Sequence, residues 1–205
     1  MSRVLILVGS PRVNGNTELL ANAFAEGARQ QSVQQPDETS LQAAENLRHK
    51  ANGVGSPRHK VEILNVARMN IAHCIGCNTC FTREGNACAR HDDMDKVYAA
   101  LARADILVVA SPVYFYGISS QMAACIDRLH TPLRNTFHIH KACLLLCGAA
   151  SLENLFDAIT TQYEMALKFF NIQDCGRVLV RSVKDKGDIL NTDALEAARK
   201  LGNSI

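Results

Sequence analysis

"VLILVGSPRVNGNT", residues 4–17, joins an apolar run without alternation to a loop rich in Gly, Asn, Ser and Thr, and a helical pattern follows directly. Such a run is the signature of a strand covered by helices on both faces. Where a strand hands over to a helix, unpaired backbone N–H groups and the positive end of the peptide dipole attract phosphate. Gly9 and Gly15 let the backbone curl closely, Ser10, Asn16 and Thr17 supply neutral donors, and Arg12 adds a charged one. Neither G-x-x-x-x-G-K-[ST] nor G-x-G-x-x-G occurs, and the loop carries no cysteine, which leaves a monophosphate held without phosphoryl chemistry. The competing reading is a strand-to-helix turn whose Asn and Thr only cap the helix.

The rest of the chain repeats the alternation. Residues 106–110 ("ILVVA") and 143–147 ("CLLLC") are further unbroken apolar runs, and 61–65 and 177–181 are shorter strand candidates, five in all. Helical periodicity follows residue 17, then residues 92–93, where Asp92 and Asp93 are read as caps rather than an acid–base pair, then spans 118–129 and 152–163. A last helix starts near residue 193, with Asp193 and Glu196 at capping-box spacing and Gly202 as its stop. Strands alternating with helices predict a parallel, doubly wound sheet in a three-layer α/β/α sandwich.

At 205 residues, 47% hydrophobic, the chain predicts a single domain, 1–205. A polar stretch over 31–60 reads as an insertion, a surface excursion with a short helix at 40–51 rather than a partner-binding arm. A formal net charge of +2 gives no sign of a nucleic-acid partner. No apolar run approaches the ~20 residues that span a bilayer, and no leader pattern precedes the first strand, so a cytoplasmic protein without a membrane partner is expected.

A second loop, "SPVYFYGISSQM" (111–122), follows the third strand at its carboxyl end, where open parallel sheets place their ligand crevice. Tyr114, Phe115 and Tyr116 cluster there between Pro112 and Gly117, suited to walling a flat ring; packing against a neighbouring helix or subunit is the alternative.

Cys74, Cys77, Cys80 and Cys88 spell C-x2-C-x2-C-x7-C, a complete thiolate set for a 4Fe-4S cluster or a structural zinc. Three ligands in a tight run plus one later favour iron–sulfur over zinc, and reduced cysteines that only cover a ligand stand level with the cluster, with zinc third. Cys125, Cys143, Cys147 and Cys175 have apolar neighbours and read as small buried hydrophobes. His73 is read as a surface residue.

In this order, "GSPRVNGNT", "CIGCNTC", "HDDM" and "SPVYFYGISSQMAACIDR" resemble the NADPH-dependent FMN reductase and iron-sulfur flavoprotein family, over the chain outside 31–60. The resemblance implies a flavodoxin-like five-stranded fold and bound FMN. It places the flavin phosphate on Ser10, Arg12, Asn14, Gly15, Asn16 and Thr17, and the isoalloxazine against Pro112, Val113, Tyr114, Phe115, Tyr116 and Gly117, with Gly148 and Ala149 closing the other side. It further implies NAD(P)H as electron donor, a 4Fe-4S cluster in the iron-sulfur branch, and a homodimer or homotetramer. The acceptor would be a quinone, a nitro or azo compound, a ferric chelate or a redox protein. No side chain is assigned as a catalytic residue, because the cofactor carries the chemistry. The rival functions are a flavodoxin-type electron carrier without its own substrate and a zinc-stapled interaction domain.

Overall fold

The computed structural model describes residues 1–30 and 58–205. Apart from its last three residues, the expected insertion at 31–60, with its helix at 40–51, lies outside the described residues.

Strands β1 (Arg3–Val8), β2 (Lys60–Asn65), β3 (Ile106–Tyr114), β5 (Lys141–Cys147) and β6 (Gln173–Val180) form one parallel sheet in the order β2-β1-β3-β5-β6, and the two-residue β4 (Gly117–Ile118) pairs antiparallel to β3. The five expected strands are present, and β4 is an addition. Their side chains divide strictly by parity. Val4, Ile6 and Val8, with Ile106, Val108 and Ala110, face helices α1 (Asn16–Arg29) and α6 (Ala194–Ser204). Leu5, Leu7, Leu107 and Val109 face α3 (Met94–Leu101), α4 (Ser120–Asp127) and α5 (Asp157–Phe170). Both faces of the strands are therefore buried, which is why their sequence shows no alternation. A single-turn helix, α2 (Thr79–Thr82), lies in the connection between β2 and α3.

Of the boundaries that differ from expectation, three have a visible cause. β6 begins at Gln173 rather than 177, because it carries a bulge: Ala142 pairs Asp174 and Leu144 pairs Arg177, so β6 fits one extra residue into that step, and Gly176 takes a φ of 133° there. α5 begins at Asp157 rather than 152, after a turn in which Leu155 N donates to Leu152 O, although Leu155 and Phe156 are buried as the periodicity implied. Gly202 does not stop the last helix, which runs on to Ser204. Its role is close approach: a Cβ at Gly202 would lie 2.1 Å from Phe24 O, and one at Gly27 would lie 2.0 Å from Arg199 O, so the two glycines let α1 and α6 touch backbone to backbone. The expected Asp193 cap is not made; Ala194 N donates to Thr192 Oγ1 instead.

Candidate functional site

Register brings the carboxyl ends of three strands side by side. Val8 pairs Ala110, Ala110 pairs Leu145, and Pro112 pairs Cys147. The loops after β1, β3 and β5 thus gather on one edge, and the strand order reverses between β1 and β3, the place where open α/β sheets hold ligands.

In the first loop, Gly9 N donates to Ala110 O at 2.8 Å, and a Cβ on Gly9 would stand 2.7 Å from Ser119 Oγ; only glycine lets the first and second loops approach this closely. Asn14 adopts left-handed backbone with φ 51°, and Ser10 Oγ accepts from Arg12 N. Leu19 N is the first amide to bond back along α1, to Gly15 O, so the amides of Asn16, Thr17 and Glu18 have no intrahelical acceptor. Ser10, Asn16 and Thr17 are all buried.

The side chains of Arg12 and Asn16 are engaged on a segment that sequence reading had not connected with the site. Arg12 Nη1 donates to Lys184 O, Asn16 Nδ2 donates to Asp185 O, and Asn16 Oδ1 accepts from Gly187 N and Ile189 N. Asp188 Oδ2 folds that segment by accepting from Lys184 N and Asp185 N. Its sequence signal is "KDKGD", a turn with Gly187 at φ 94°, but nothing local says what the turn packs on. Burial pushes the Cys147 thiol up to about 12, against an opposing pull from the nearby Thr17 hydroxyl. What this loop presents to a ligand is therefore chiefly its main chain.

In the second loop, Val113 pairs Ile118 and Tyr114 pairs Gly117, so Phe115 and Tyr116 form the two central positions of a tight hairpin. Both have positive φ, 49° and 64°. Such turns normally recruit Asn-Gly, because bulky residues are strained in left-handed backbone. Phe115 is 99% exposed, and Tyr114 and Tyr116 are about half exposed. The base of the hairpin is firm: Ser119 N donates to Ser111 Oγ, and Ser119 Oγ accepts from Met122 N to cap α4. Behind it, Gly148 N donates to Val180 O, and a Cβ on Gly148 would meet Leu155 Cδ2 at 2.4 Å; Ala149 is exposed beside it. A separate apolar cavity of about 370 Å³ lies between α4, α5 and the sheet, lined by residues such as Leu107, Leu144, Ile159 and Phe170. It lies beneath α5, and neither the first loop nor the tip of the hairpin lines it.

The cysteine segment is tied shut at its base. Asp92 Oδ2 accepts from Ala72 N at 3.0 Å and from Arg128 Nη1 at 2.6 Å, and the same Nη1 donates to Ala72 O. Both side chains of this ion pair are almost wholly buried, and Arg128 Nε and Nη2 have no hydrogen-bond partner. Burial pushes the Asp92 carboxyl up, but the guanidinium and the amides of Ala72 and Met94 outweigh it and hold it below its usual value. Asp93 adds a second tie by accepting from Asn70 N while its own N donates to Asn70 O. Asp92 does accept from Met94 N as a cap would, yet its main work is closing this loop.

Within the loop, Thr79 Oγ1 donates to Cys77 Sγ, which lowers that thiol, and Gly76 N donates to Cys74 Sγ. Cys74 and Cys77 are exposed, Cys80 and Cys88 partly buried. Thiolates are the ligand type of an iron–sulfur cluster, but among the described residues no three His, Cys, Asp or Glu side chains are gathered to hold a metal. Cys125, Cys143 and Cys147 are buried as expected, each thiol pushed up to about 12 by burial, whereas Cys175, on the bulged edge strand, is only partly buried.

Residues 2–160 match the NADPH-dependent FMN reductase family. The chain belongs to that family. An iron-sulfur flavoprotein of Methanocaldococcus jannaschii is 30% identical over 137 residues, 67% of this chain and 56% of that protein. One from Archaeoglobus fulgidus is 34% identical over 70 residues, 34% of this chain and 31% of that protein. The chain thus matches little more than half the length of the first of these relatives. The NAD(P)H:quinone oxidoreductase of Methanothermobacter marburgensis superposes with a TM-score of 0.67 at 16% identity, covering 98% of this chain and 96% of that one. An FMN-dependent NADH-azoreductase from Bacillus anthracis, solved with FMN, gives 0.59 at 12% identity over 98% of each chain. At these identities the two structures speak for the fold, which is flavodoxin-like. Set against the FMN reductase family, the stretch after residue 160 lies beyond the match, and it contains the 184–189 segment that holds Arg12 and Asn16.

Proposed function

We propose that this protein is an FMN-dependent oxidoreductase that takes electrons from NAD(P)H and passes them to an acceptor. The observation that carries this reading is the Gly9–Ala110 contact: it joins a loop of free amides to an exposed aromatic hairpin across the β1–β3 switch point, so that one molecule with an anionic tail and a flat ring meets both. The amides of Asn16, Thr17 and Glu18 receive the phosphate, backed by the α1 dipole. Pro112, Val113, Tyr114, Phe115, Tyr116 and Gly117 border the ring, with Gly148 and Ala149 opposite. FMN, when bound, supplies the redox chemistry by accepting electrons in a pair and releasing them. The protein's part is to fix its pose and to keep water from one face of the ring.

The acceptor class, a quinone, a nitro or azo compound, a ferric chelate or a redox protein, belongs to the same proposal, as do a homodimer or homotetramer and a cytoplasmic setting. No helix among the described residues is long and apolar enough to cross a membrane. An iron–sulfur cluster is a second reading, supported by the cysteine chemistry and by the names of the relatives in Methanocaldococcus and Archaeoglobus. Iron and sulfide analysis of anaerobically purified protein, with Cys77→Ser alongside, tests it: stoichiometric iron lost in the variant supports the cluster, and no iron in either removes it. For the main reading, FMN-loaded protein is mixed anaerobically with NADPH and with NADH. Rapid bleaching of the flavin supports the oxidoreductase, whereas failure of both donors favours the carrier.

A further inference from the structure

Glu18, in the first turn of α1, is out of place in a cradle for phosphate. Its Oε2 accepts from Asn14 N at 2.6 Å, so a carboxylate already sits on one amide of the loop. The same carboxylate takes both ends of the Arg68 guanidinium, Nη2 to Oε2 at 2.8 Å and Nη1 to Oε1 at 3.3 Å, from the turn that follows β2. Burial pushes this carboxyl up, but Arg68, the Asn14 amide and Lys186 together hold it below its ordinary value, so it is charged at neutral pH. Arg12, the loop's own cation, is turned to Lys184 O, where one of its N–H groups is bonded while the guanidinium keeps its charge.

The carboxylate, whose charge Arg68 offsets but does not remove, sits on an amide beside those that would take the phosphate, so it opposes a phosphate monoester and is indifferent to a neutral ligand of the same shape. Bidentate pairing holds the carboxylate in a set direction, since the planar guanidinium fork fixes geometry as well as charge. We propose that Glu18 sets how strongly this site prefers a phosphorylated flavin to an unphosphorylated one, and that Arg68 is its positioning residue, holding the carboxylate on Asn14 and offsetting its charge. The proposal rests on the FMN reading above.

Dissociation constants for FMN and for riboflavin, from quenching of flavin fluorescence, are compared in the wild type, Glu18→Gln, Arg68→Met and the double variant. Glu18→Gln keeps an acceptor for Asn14 N and removes the charge. It is expected to tighten FMN about threefold to fivefold, the range of an exposed charge pair, and to leave riboflavin unchanged. Arg68→Met weakens FMN by a similar factor in the wild-type background and has no effect once Glu18 is Gln. Weaker FMN binding in Glu18→Gln, or an equal change for both flavins, overturns the proposal by showing that the carboxylate builds the loop. An Arg68→Met effect that persists in the double variant overturns the positioning role by placing Arg68 on the phosphate itself. Wild-type protein that binds neither flavin ends the FMN reading as well, an outcome visible before any variant is made. Thermal melts of the variants exclude misfolding, and Glu18→Ala is expected to move FMN affinity in the same direction.

Discussion

Replacing Phe115 and Tyr116 with Asn and Gly is expected to make the protein more stable and a poorer flavin binder. Both residues hold left-handed backbone, at φ 49° and 64°. For residues with a Cβ that conformation costs roughly 1–2 kcal/mol each, so the pair stores about 2–4 kcal/mol. Asn tolerates the first position, while Gly at the second costs about 1 kcal/mol in backbone entropy. Phe115 is 99% exposed and loses no burial; Tyr116, 48% exposed, gives up some. A net gain of about 1–2 kcal/mol remains after these offsets. For a chain of this size each kcal/mol moves the melting temperature by about 2–4 °C, which predicts a rise of roughly 2–8 °C by calorimetry. Flavin affinity, measured on the same samples, falls because the aromatic wall is gone. An unchanged or lower melting temperature would refute the strain argument, and unchanged flavin affinity would detach the hairpin from the site.

Asp92→Asn breaks a buried ion pair and leaves the Arg128 charge uncompensated, so a loss of about 3–5 kcal/mol is expected in urea unfolding. The Asp92 carboxyl is depressed in the folded state, so its contribution is present above its unfolded value and lost as pH falls through the folded one; the variant is expected to show a shallower acid limb of stability. Gly202→Ala sets a methyl 2.1 Å from Phe24 O and is expected to cost about 1–3 kcal/mol, read as a lower urea midpoint. Asn16→Ala strands Gly187 N, Ile189 N and Asp185 O, and hydrogen exchange is expected to quicken over 184–189 while FMN retention weakens, with Thr17→Ala weakening it less.

Much of this was legible in the sequence because it is written in local patterns. Unbroken apolar runs at residues 4–8, 106–110 and 143–147 report burial on both faces, and the loops after the first two carry their own ligand signature. What escaped was written in pairs distant along the chain. Arg12 and Asn16 look like ligand donors until residues 184–189 are seen to occupy them. Gly202 looks like a helix stop until Phe24 O is found against it. Asp92 looks like a cap until Arg128 and Ala72 converge on it from separate elements. The bulge at Gly176 interrupted the strand pattern and hid the start of β6.

A crystal structure of the FMN complex tests the account most directly. The phosphate is predicted on the amides of Asn16, Thr17 and Glu18, with the ring against Tyr114–Gly117. A flavin seated in the apolar cavity beneath α5, or a phosphate away from those amides, would contradict it.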